Sequence, residues 1–497
     1  MNALPAQGIS RLTLLVLSTT ILISVMNSSM SSIVLPEMGR EFHVGPDALS
    51  WMVTAYLIPF ATGTVLFGRL ADMVGSRRLY LLGLALFAMA SLAVAMATTF
   101  PLIIALRVVQ GFGGAAIPSL AMAAITRGTS REQRGPAMGC TIVAVGLGFG
   151  LGPIVGGALT EWTGWQGPFL FTGIVMLLLL PLAATRVPGF RGTSGQHFDF
   201  FGAALLGLAV TAGILALNRL PRDNGDVAGT TALLVSIPLW LTLALWTRRA
   251  KTPFLPPRIV GNGRFMRMSL VGFTAQGSHF AVIVLIPLLF TQYHDLNTID
   301  IGLRLLPGAA ALGVFGMIGG LLVHRLGERV LLIFGTWVLF AGILTLHVAG
   351  VEWSTWRISL LYVAIASGYG MIQAGVMKAA TDQLPEDQAG IGTGVFNLSF
   401  FLGGAVTVAI AGALLRSRES ATAAWNPLFH GTALSYSDAL IPVVVFALFG
   451  FILAIVQQPP RVVAEPQPEA VPRLHPVGPS SWPVQPRAKP NSQLPRR

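Results

Sequence analysis

Several groups in this chain are placed where charge is expensive, and each could do mechanical or proton chemistry. The first is Gly68-Arg69-Leu70-Ala71-Asp72-Met73-Val74-Gly75-Ser76-Arg77-Arg78, a short charged turn between two long apolar spans. Lipid cannot solvate the open backbone of a loop, so this turn must lie at a membrane surface. Asp72 can draw Arg77 and Arg78, or the positive start of the next helix, into a latch between two helices. Gly68 and Gly75 frame the turn. The second is Arg107, in Arg107-Val108-Val109-Gln110-Gly111, inside an apolar span. A guanidinium at that depth costs several kcal/mol unless it faces a wet cavity or a partner. It is either pinned to backbone carbonyls or a relay that answers protonation or a charged substrate, and its cost favours the relay.

Two further groups could carry protons. His279 lies mid-span in Gln276-Gly277-Ser278-His279-Phe280, and an imidazole with an ordinary pKa of about 6.5 suits that task. A neutral, hydrogen-bonded core histidine is the alternative. Glu37 follows Pro36 at the outer end of the first span, where it is a coupling candidate or a solvated end. Lys378 and Asp382, four apart, can form a gate pair or a surface pair. For a substrate cavity the polar or aromatic residues inside spans are Asn27, Tyr56, Gln110, Gln276, Gln373 and Asn397, though interhelical hydrogen bonds would also account for them.

The elements that must hold these groups follow from composition. Of 497 residues 53% are hydrophobic and only 10% charged, against about 25% charged in a soluble globular protein. Mean hydropathy is +0.70. The chain therefore reads as an all-α membrane protein. At about twenty apolar residues per crossing, fourteen helices fit, near 12–35, 50–70, 79–98, 101–126, 137–160, 167–186, 200–219, 229–247, 267–290, 302–323, 329–350, 355–380, 388–415 and 437–457. The net charge of +12 does not point to nucleic acid, because no soluble domain presents it. Lys and Arg instead crowd alternate loops, as at Arg77 and Arg78, Arg127 to Arg134, Arg248 to Arg267, and Arg325 and Arg329. That asymmetry puts both termini in the cytosol, and an odd helix count would scramble it in the second half. The first span outruns a signal-peptide core and is followed by many equals, so it reads as a crossing. The single cysteine, Cys140, allows neither an internal disulfide nor a thiol-built metal site. No phosphate loop of the Gly-x-x-x-x-Gly-Lys-Ser/Thr type occurs, which argues against an ATP-driven pump.

An internal repeat organises the spans. Gly320-Leu321-Leu322-Val323-His324-Arg325-Leu326-Gly327-Glu328-Arg329 repeats the opening turn with the same glycine spacing, and His324 stands where Asp72 stood. A parallel repeat puts both turns on one membrane face. Residues 1–190 then form an N-terminal six-helix half and 261–457 a C-terminal one. Residues 191–260 insert a helix pair, entered at Asp199, and 458–497 form a disordered Pro/Arg-rich tail in the cytosol. In the fifth span Gly148, Gly152 and Gly156 recur at spacing four, so one face admits a close neighbour. Pro153 bends that helix, and Gly157 follows.

The opening turn, Arg107 with Gln110 and Gly111, and the Gly-Pro helix together resemble three signature motifs of the major facilitator superfamily. Fourteen spans and the Phe198-Asp199 entry resemble its drug:proton antiporter branch. Val25-Met26-Asn27 with Leu35-Pro36, Arg134-Gly135-Pro136-Ala137-Met138-Gly139, and Gly390-Ile391-Gly392 with Phe396-Asn397 are similar to the tetracycline exporters of that branch. The resemblance implies two halves that rock about the glycine-rich contacts around a mid-bilayer site, with a latch that opens and closes. It implies proton-driven efflux of a hydrophobic drug or antibiotic, tetracycline-like compounds first, across the cytoplasmic membrane. The expected partners are a small-molecule substrate, protons and the lipid bilayer, with no nucleic acid and no cofactor, for a monomer that is not an enzyme. Two departures stand out. Asn27 occupies the place of an aspartate common in the branch, and Phe149 the place of the tetracycline exporters' glutamate. A permanently cationic cargo would find nothing in the core to offset its desolvation. An importer on the same fold, a metabolite exporter and a transporter-shaped sensor are the rival readings.

Overall fold

The computed structural model describes residues 9–457, except 45, 130, 191–198, 220–226, 251–252, 385–388, 428 and 430. The expected tail 458–497, and the side chains of Arg69, Asp72 and His324, lie outside the described residues. All regular structure described is helical. A first group comprises α1 (Arg11–Ile33), the short α2 (Leu35–Glu41), α3 (Pro46–Val74), α4 (Ser76–Ala95), α5 (Phe100–Gly128), α6 (Arg131–Thr163) and α7 (Gly167–Arg186). Then come α8 (Phe200–Arg219), α9 (Val227–Arg249) and the single turn α10 (Pro257–Val260). A second group comprises α11 (Gly263–His294), α12 (Thr298–Leu326), α13 (Glu328–Val348), α14 (Thr355–Thr381), α15 (Ala389–Ser417) and α16 (Leu434–Ile455). Fourteen of these helices are long and apolar enough to cross a membrane. The first expected span, drawn to residue 35, breaks at Val34, where Pro36 cannot donate to the preceding turn and a new helix starts.

The two groups pack by one plan. In the first, α1 meets α6 and α7, α3 meets α5, and α4 meets α5 and α7; in the second, α11 meets α15 and α16, α12 meets α14, and α13 meets α14 and α16. Each group has its own apolar core, one around Leu17, Tyr80, Phe87 and Ile117 and the other around Phe265, Phe290, Leu339 and Ile365. The two charged turns also match. Gly75 at φ 103° and Gly327 at φ 78° end one helix and start the next, in the left-handed region where only glycine is unstrained. At Gly68 and Gly320 an added Cβ would meet nothing within 4 Å.

Helices α8 and α9 pack on each other, and α8 lies along both α3 and α15. Leu206, Val210 and Ile214 there join Ile58 and Ala61 of α3 with Leu398 and Ala405 of α15 in one small core. Asp199 holds this pair in place. It accepts from Gly202 N at 2.8 Å, Trp246 Nε1 at 3.1 Å and Phe254 N at 3.0 Å, so it ties the start of α8 to the end of α9 and the linker beyond. Only 17% of the α9 span is buried, against 67% for α11, which puts α9 at the lipid-facing edge.

At the end of the bundle away from the charged turns, each group is closed by polar clasps. Trp165 Nε1 donates to Glu41 Oε2 at 2.8 Å. Arg418 Nε meets the fully buried Asp438 Oδ2 at 2.7 Å, and Trp425 N donates to Asp438 Oδ1 at 2.9 Å. Such a pair contributes little over an apolar one, but losing one partner costs about 3–5 kcal/mol. Glu352 accepts from Thr432 N, from Thr432 Oγ1 at 2.9 Å and from Ala433 N at 3.4 Å. Partial burial opposes its ionisation, but the Thr432 and Ala433 hydrogen bonds outweigh that and hold the carboxyl below its ordinary value. A depressed folded-state value means this clasp stabilises above the ordinary carboxylate range and weakens as pH falls through and below about 4. Amide exchange at Thr432 and Ala433 should therefore be slow at neutral pH and accelerate in acid beyond the intrinsic trend. Glu352→Gln should remove the pH-dependent part; an unchanged profile in that variant would refute the clasp.

Candidate functional site

A cavity of about 760 Å³, counting the part open to solvent, lies between the two groups. Ser24 and Ser28 of α1, Tyr56 and Phe60 of α3 and Phe149 of α6 line it from one side. Gln276 and Phe280 of α11, Tyr369 and Gln373 of α14, and Phe400 and Phe401 of α15 line it from the other. Aromatic pairs bridge the groups at its rim: Phe60 meets Phe401 edge-on at 4.8 Å, and Phe149 meets Phe280 at 5.8 Å. Among the described lining residues none is Asp, Glu, Lys, Arg or His. The surface offers aromatic faces and a few neutral polar atoms, which suits a hydrophobic guest with some hydrogen-bonding groups.

Those polar atoms fall in two sets. Tyr56 hydrogen-bonds with Ser24 on the first side. On the second, the Tyr369 hydroxyl donates to Gln276 Oε1. Gln373 Oε1 is buried without a hydrogen-bond partner, an acceptor left open to a guest. His279 stands one layer behind. Its ring stacks on Tyr369 at 4.0 Å and 7° and lies 6.1 Å from Tyr362, while its Nε2 is buried without a partner. It therefore backs one cavity residue, Tyr369, without lining the cavity.

Arg107 is 1% exposed. Its Nε donates to Met52 O at 3.0 Å, and Nη1 donates to Gln110 Oε1 at 2.6 Å and Asn27 Oδ1 at 3.3 Å. The acceptors are themselves held, since Gln110 Nε2 donates to Ser91 Oγ at 2.7 Å and Asn27 Nδ2 to Thr172 Oγ1 at 3.3 Å. The guanidinium carbon lies 4.5 Å from the Tyr56 ring centroid, within cation–π reach. No described carboxylate forms an ion pair with it. One charge thus knits α1, α3, α4, α5 and α7 through neutral dipoles, just behind the cavity wall.

Of the residues expected at the substrate site, Tyr56, Gln276 and Gln373 line the cavity. Asn27 and Gln110 turn to Arg107 instead, and half-buried Asn397 lies on α15 one turn before Phe400 and Phe401, off the cavity wall. Glu37 lies in α2 near Gly164, in the clasped end of the first group and away from the cavity. Arg77 packs over Gly189, and Arg78 is exposed. Lys378 bridges Asp382 to Glu328 at the start of α13, a contact not expected from the sequence.

The glycine helix carries two close faces. Gly148, Gly152 and Gly156 pack on Leu22, Val25, Ser29 and Met30 of α1, inside their own group, with Pro153 and Gly157 buried beside them. The face that meets the other group carries Gly146 and Gly150. A Cβ on Gly150 would come within 2.3 Å of the Ala309 Cβ on α12, and one on Gly146 within 3.0 Å of Ala309 O and Gly313 N. Sequence reasoning missed this second face. The signal for it was the alternation Gly146, Gly148, Gly150, Gly152, which is two spacing-four series on different sides of one helix.

The family model described as Major Facilitator Superfamily matches residues 17–408. The chain belongs to the major facilitator superfamily. Its relatives include the multidrug resistance protein Stp of Mycobacterium tuberculosis, 25% identical over 417 residues, 83% of this chain and 77% of Stp. The multidrug transporter protein MdtP of Bacillus subtilis is 26% identical over 380 residues, 76% of this chain and 70% of MdtP. The crystal structure of the human organic anion transporter MFSD10 (TETRAN) shares the fold, with a TM-score of 0.62 at 16% identity over 92% of this chain and 100% of that one. This superfamily member is therefore a multi-pass membrane transporter and not an enzyme, and its cavity sits between two matched helix groups.

The Arg107 network makes a specific demand on geometry. A lysine there keeps the charge but loses the planar set of donors that reaches Met52, Gln110 and Asn27 together. Arg107→Lys should insert and fold at near-parental yield yet lower transport at least about tenfold. Yield by fluorescence-detected size exclusion and flux in vesicles check this; parental flux would mean that only the charge counts.

Proposed function

We propose that this transporter exports hydrophobic aromatic compounds, drugs and antibiotics among them, across the cytoplasmic membrane in exchange for protons. The observation that carries the reading is the aromatic cavity, with no charged side chain among its described lining residues, between two helix groups of matching plan. Cargo held there is reached from either membrane face as the groups tilt about their shared contacts. The α6–α12 approach at Gly146, Gly150 and Ala309 and the Phe60–Phe401 contact supply those pivots. The multidrug names of distant relatives support export as the direction. Tetracycline-like molecules are the first candidates by motif resemblance, with Phe149 offering an aromatic face where the tetracycline exporters carry a carboxylate.

For the proton, Arg107 is the relay candidate, and His279 is a second titratable group, stacked on the cavity residue Tyr369. Cargo that displaces Tyr369 or Gln276 would alter the surroundings of that imidazole. Glu37 remains a candidate at the outer surface. The turn Gly68 to Arg78 is the latch on the basic face, which we assign to the cytosol together with both termini.

Inverted vesicles from a pump-deficient host test this directly. They should accumulate tetracycline or an aromatic dye when their lumen is acidified, and collapse of the pH gradient with nigericin should cut uptake at least fivefold. Uptake indifferent to nigericin would remove proton coupling. Accumulation only in right-side-out vesicles would reverse the direction. His279→Ala should flatten the dependence of uptake on lumenal pH, and an unaltered dependence would clear His279.

A further inference from the structure

A buried charge stands directly behind the cavity wall. Arg107 carries a full positive charge, buried and 4.5 Å from the ring of Tyr56, which lines the cavity. Its acceptors, Met52 O, Asn27 Oδ1 and Gln110 Oε1, are neutral dipoles. They solvate the guanidinium without cancelling its charge. Every described carboxylate lies in a loop or in the end turns of a helix, so no described acid at cavity depth offsets it. Water-borne ions screen little inside a low-dielectric wall. A positive field therefore reaches the cavity with no described acid to offset it.

We propose that the cavity selects planar aromatic compounds that are neutral or negatively charged and bear an O–H or N–H group, and that it excludes lipophilic cations of the same shape. Arg107 sets the sign. The aromatic walls hold the ring system, and Gln373 Oε1, the buried acceptor without a partner, takes the donor group. The proposal rests on the reading that this cavity is where cargo binds. It adds to that reading a rule of charge selection that the fold alone does not impose.

The test uses two xanthene dyes on one ring frame at mildly acidic pH, where fluorescein is a monoanion that keeps one phenol O–H donor and rhodamine 123 is a cation with N–H donors. Binding to the purified full chain in nanodiscs of zwitterionic lipid is read by fluorescence polarisation, with empty nanodiscs subtracted. The wild-type chain should bind fluorescein at least about tenfold more tightly than rhodamine 123, the scale expected of one buried charge acting across about 10 Å. Arg107→Gln should bring the two affinities within about threefold. Should that variant fail to fold, Gln373→Glu, which puts a carboxylate into the wall, should lower the fluorescein preference at least tenfold. Equal binding, a cation preference or no dye binding in the wild-type chain overturns the proposal, and so does a preference untouched by a folded Arg107→Gln or by Gln373→Glu. The two readings fail separately. If the dyes bind as expected but fluorescein never moves across inverted vesicles, export falls and charge selection stands. If vesicles move both dyes alike, export stands and charge selection falls.

Discussion

A charged group at bilayer depth must be solvated by the protein itself, and much of the first helix group is arranged to do this for Arg107. Five helices contribute to the network, through Asn27 on α1, Met52 on α3, Ser91 on α4, Gln110 on α5 and Thr172 on α7. Asn27 and Gln110 are each oriented by a further hydrogen bond, so neither can swing away without leaving a polar atom bare in hydrocarbon. The network thereby welds the group into one body. A body that moves as a unit is what a two-group transporter needs, because cargo access must change at the seam and not inside either half. The second group is welded differently. Its rigidity comes from the Arg418–Asp438 pair, the Glu352 clasp and the His279–Tyr369 stack. Two groups with one packing plan thus use different chemistry to the same mechanical end.

The seam has its own physics. Apolar side chains gain little by leaving lipid for another apolar surface, so helix association in a membrane depends on close backbone approach and on specific contacts. Gly146, Gly150 and Ala309 give that approach on the α6–α12 side. Phe60 with Phe401, and the small core shared with α8, give the contact on the α3–α15 side. These two pairings correspond under the repeat, since α6 and α15 hold equivalent places in their groups, as do α3 and α12. A smooth glycine surface resists tilting less than interlocked side chains do. The inserted pair α8–α9 leans on α3 and α15 together, so it covers that seam. Asp199 is the pin that keeps it there.

The architecture was largely readable from residue types alone. Fourteen apolar spans, the repeated glycine spacing and the alternation of basic loops each follow from how lipid treats backbone and charge, and local pattern suffices for such rules. The break at Val34 depended on Pro36, whose effect is also local. The site was readable only in part. Tyr56, Gln276 and Gln373 could be picked as polar or aromatic residues inside spans, yet the same rule also picked Asn27 and Gln110. Which polar side chains face a cavity and which face a buried arginine depends on helix rotation, and that is fixed by partners far away in the chain. Four of the five phenylalanines of the cavity carried no signal, because phenylalanine in a membrane helix is ordinary; Phe149 stood out only by motif resemblance. The seam face of α6 was hidden by the stronger Gly148, Gly152, Gly156 series on another side.

The chemistry of the wall narrows how coupling and cargo can interact. In a cavity lined by carboxylates, a proton and a cationic guest compete for the same oxygen atoms, and exchange follows from that competition. Here the described lining holds no such oxygen, so direct competition finds no site among the described residues. A link between the proton of the proposed exchange and cargo would then run through a side chain that touches both environments. Tyr369 is so placed: its hydroxyl donates to Gln276 on the cavity wall, and its ring lies flat on His279 behind it. A guest that takes over the Gln276 oxygen would release the tyrosine hydroxyl, and a ring freed at one end can slide on the imidazole it covers. Coupling of that kind is mechanical before it is electrostatic. It would tolerate guests of varied shape, since it asks only that the hydrogen bond be broken.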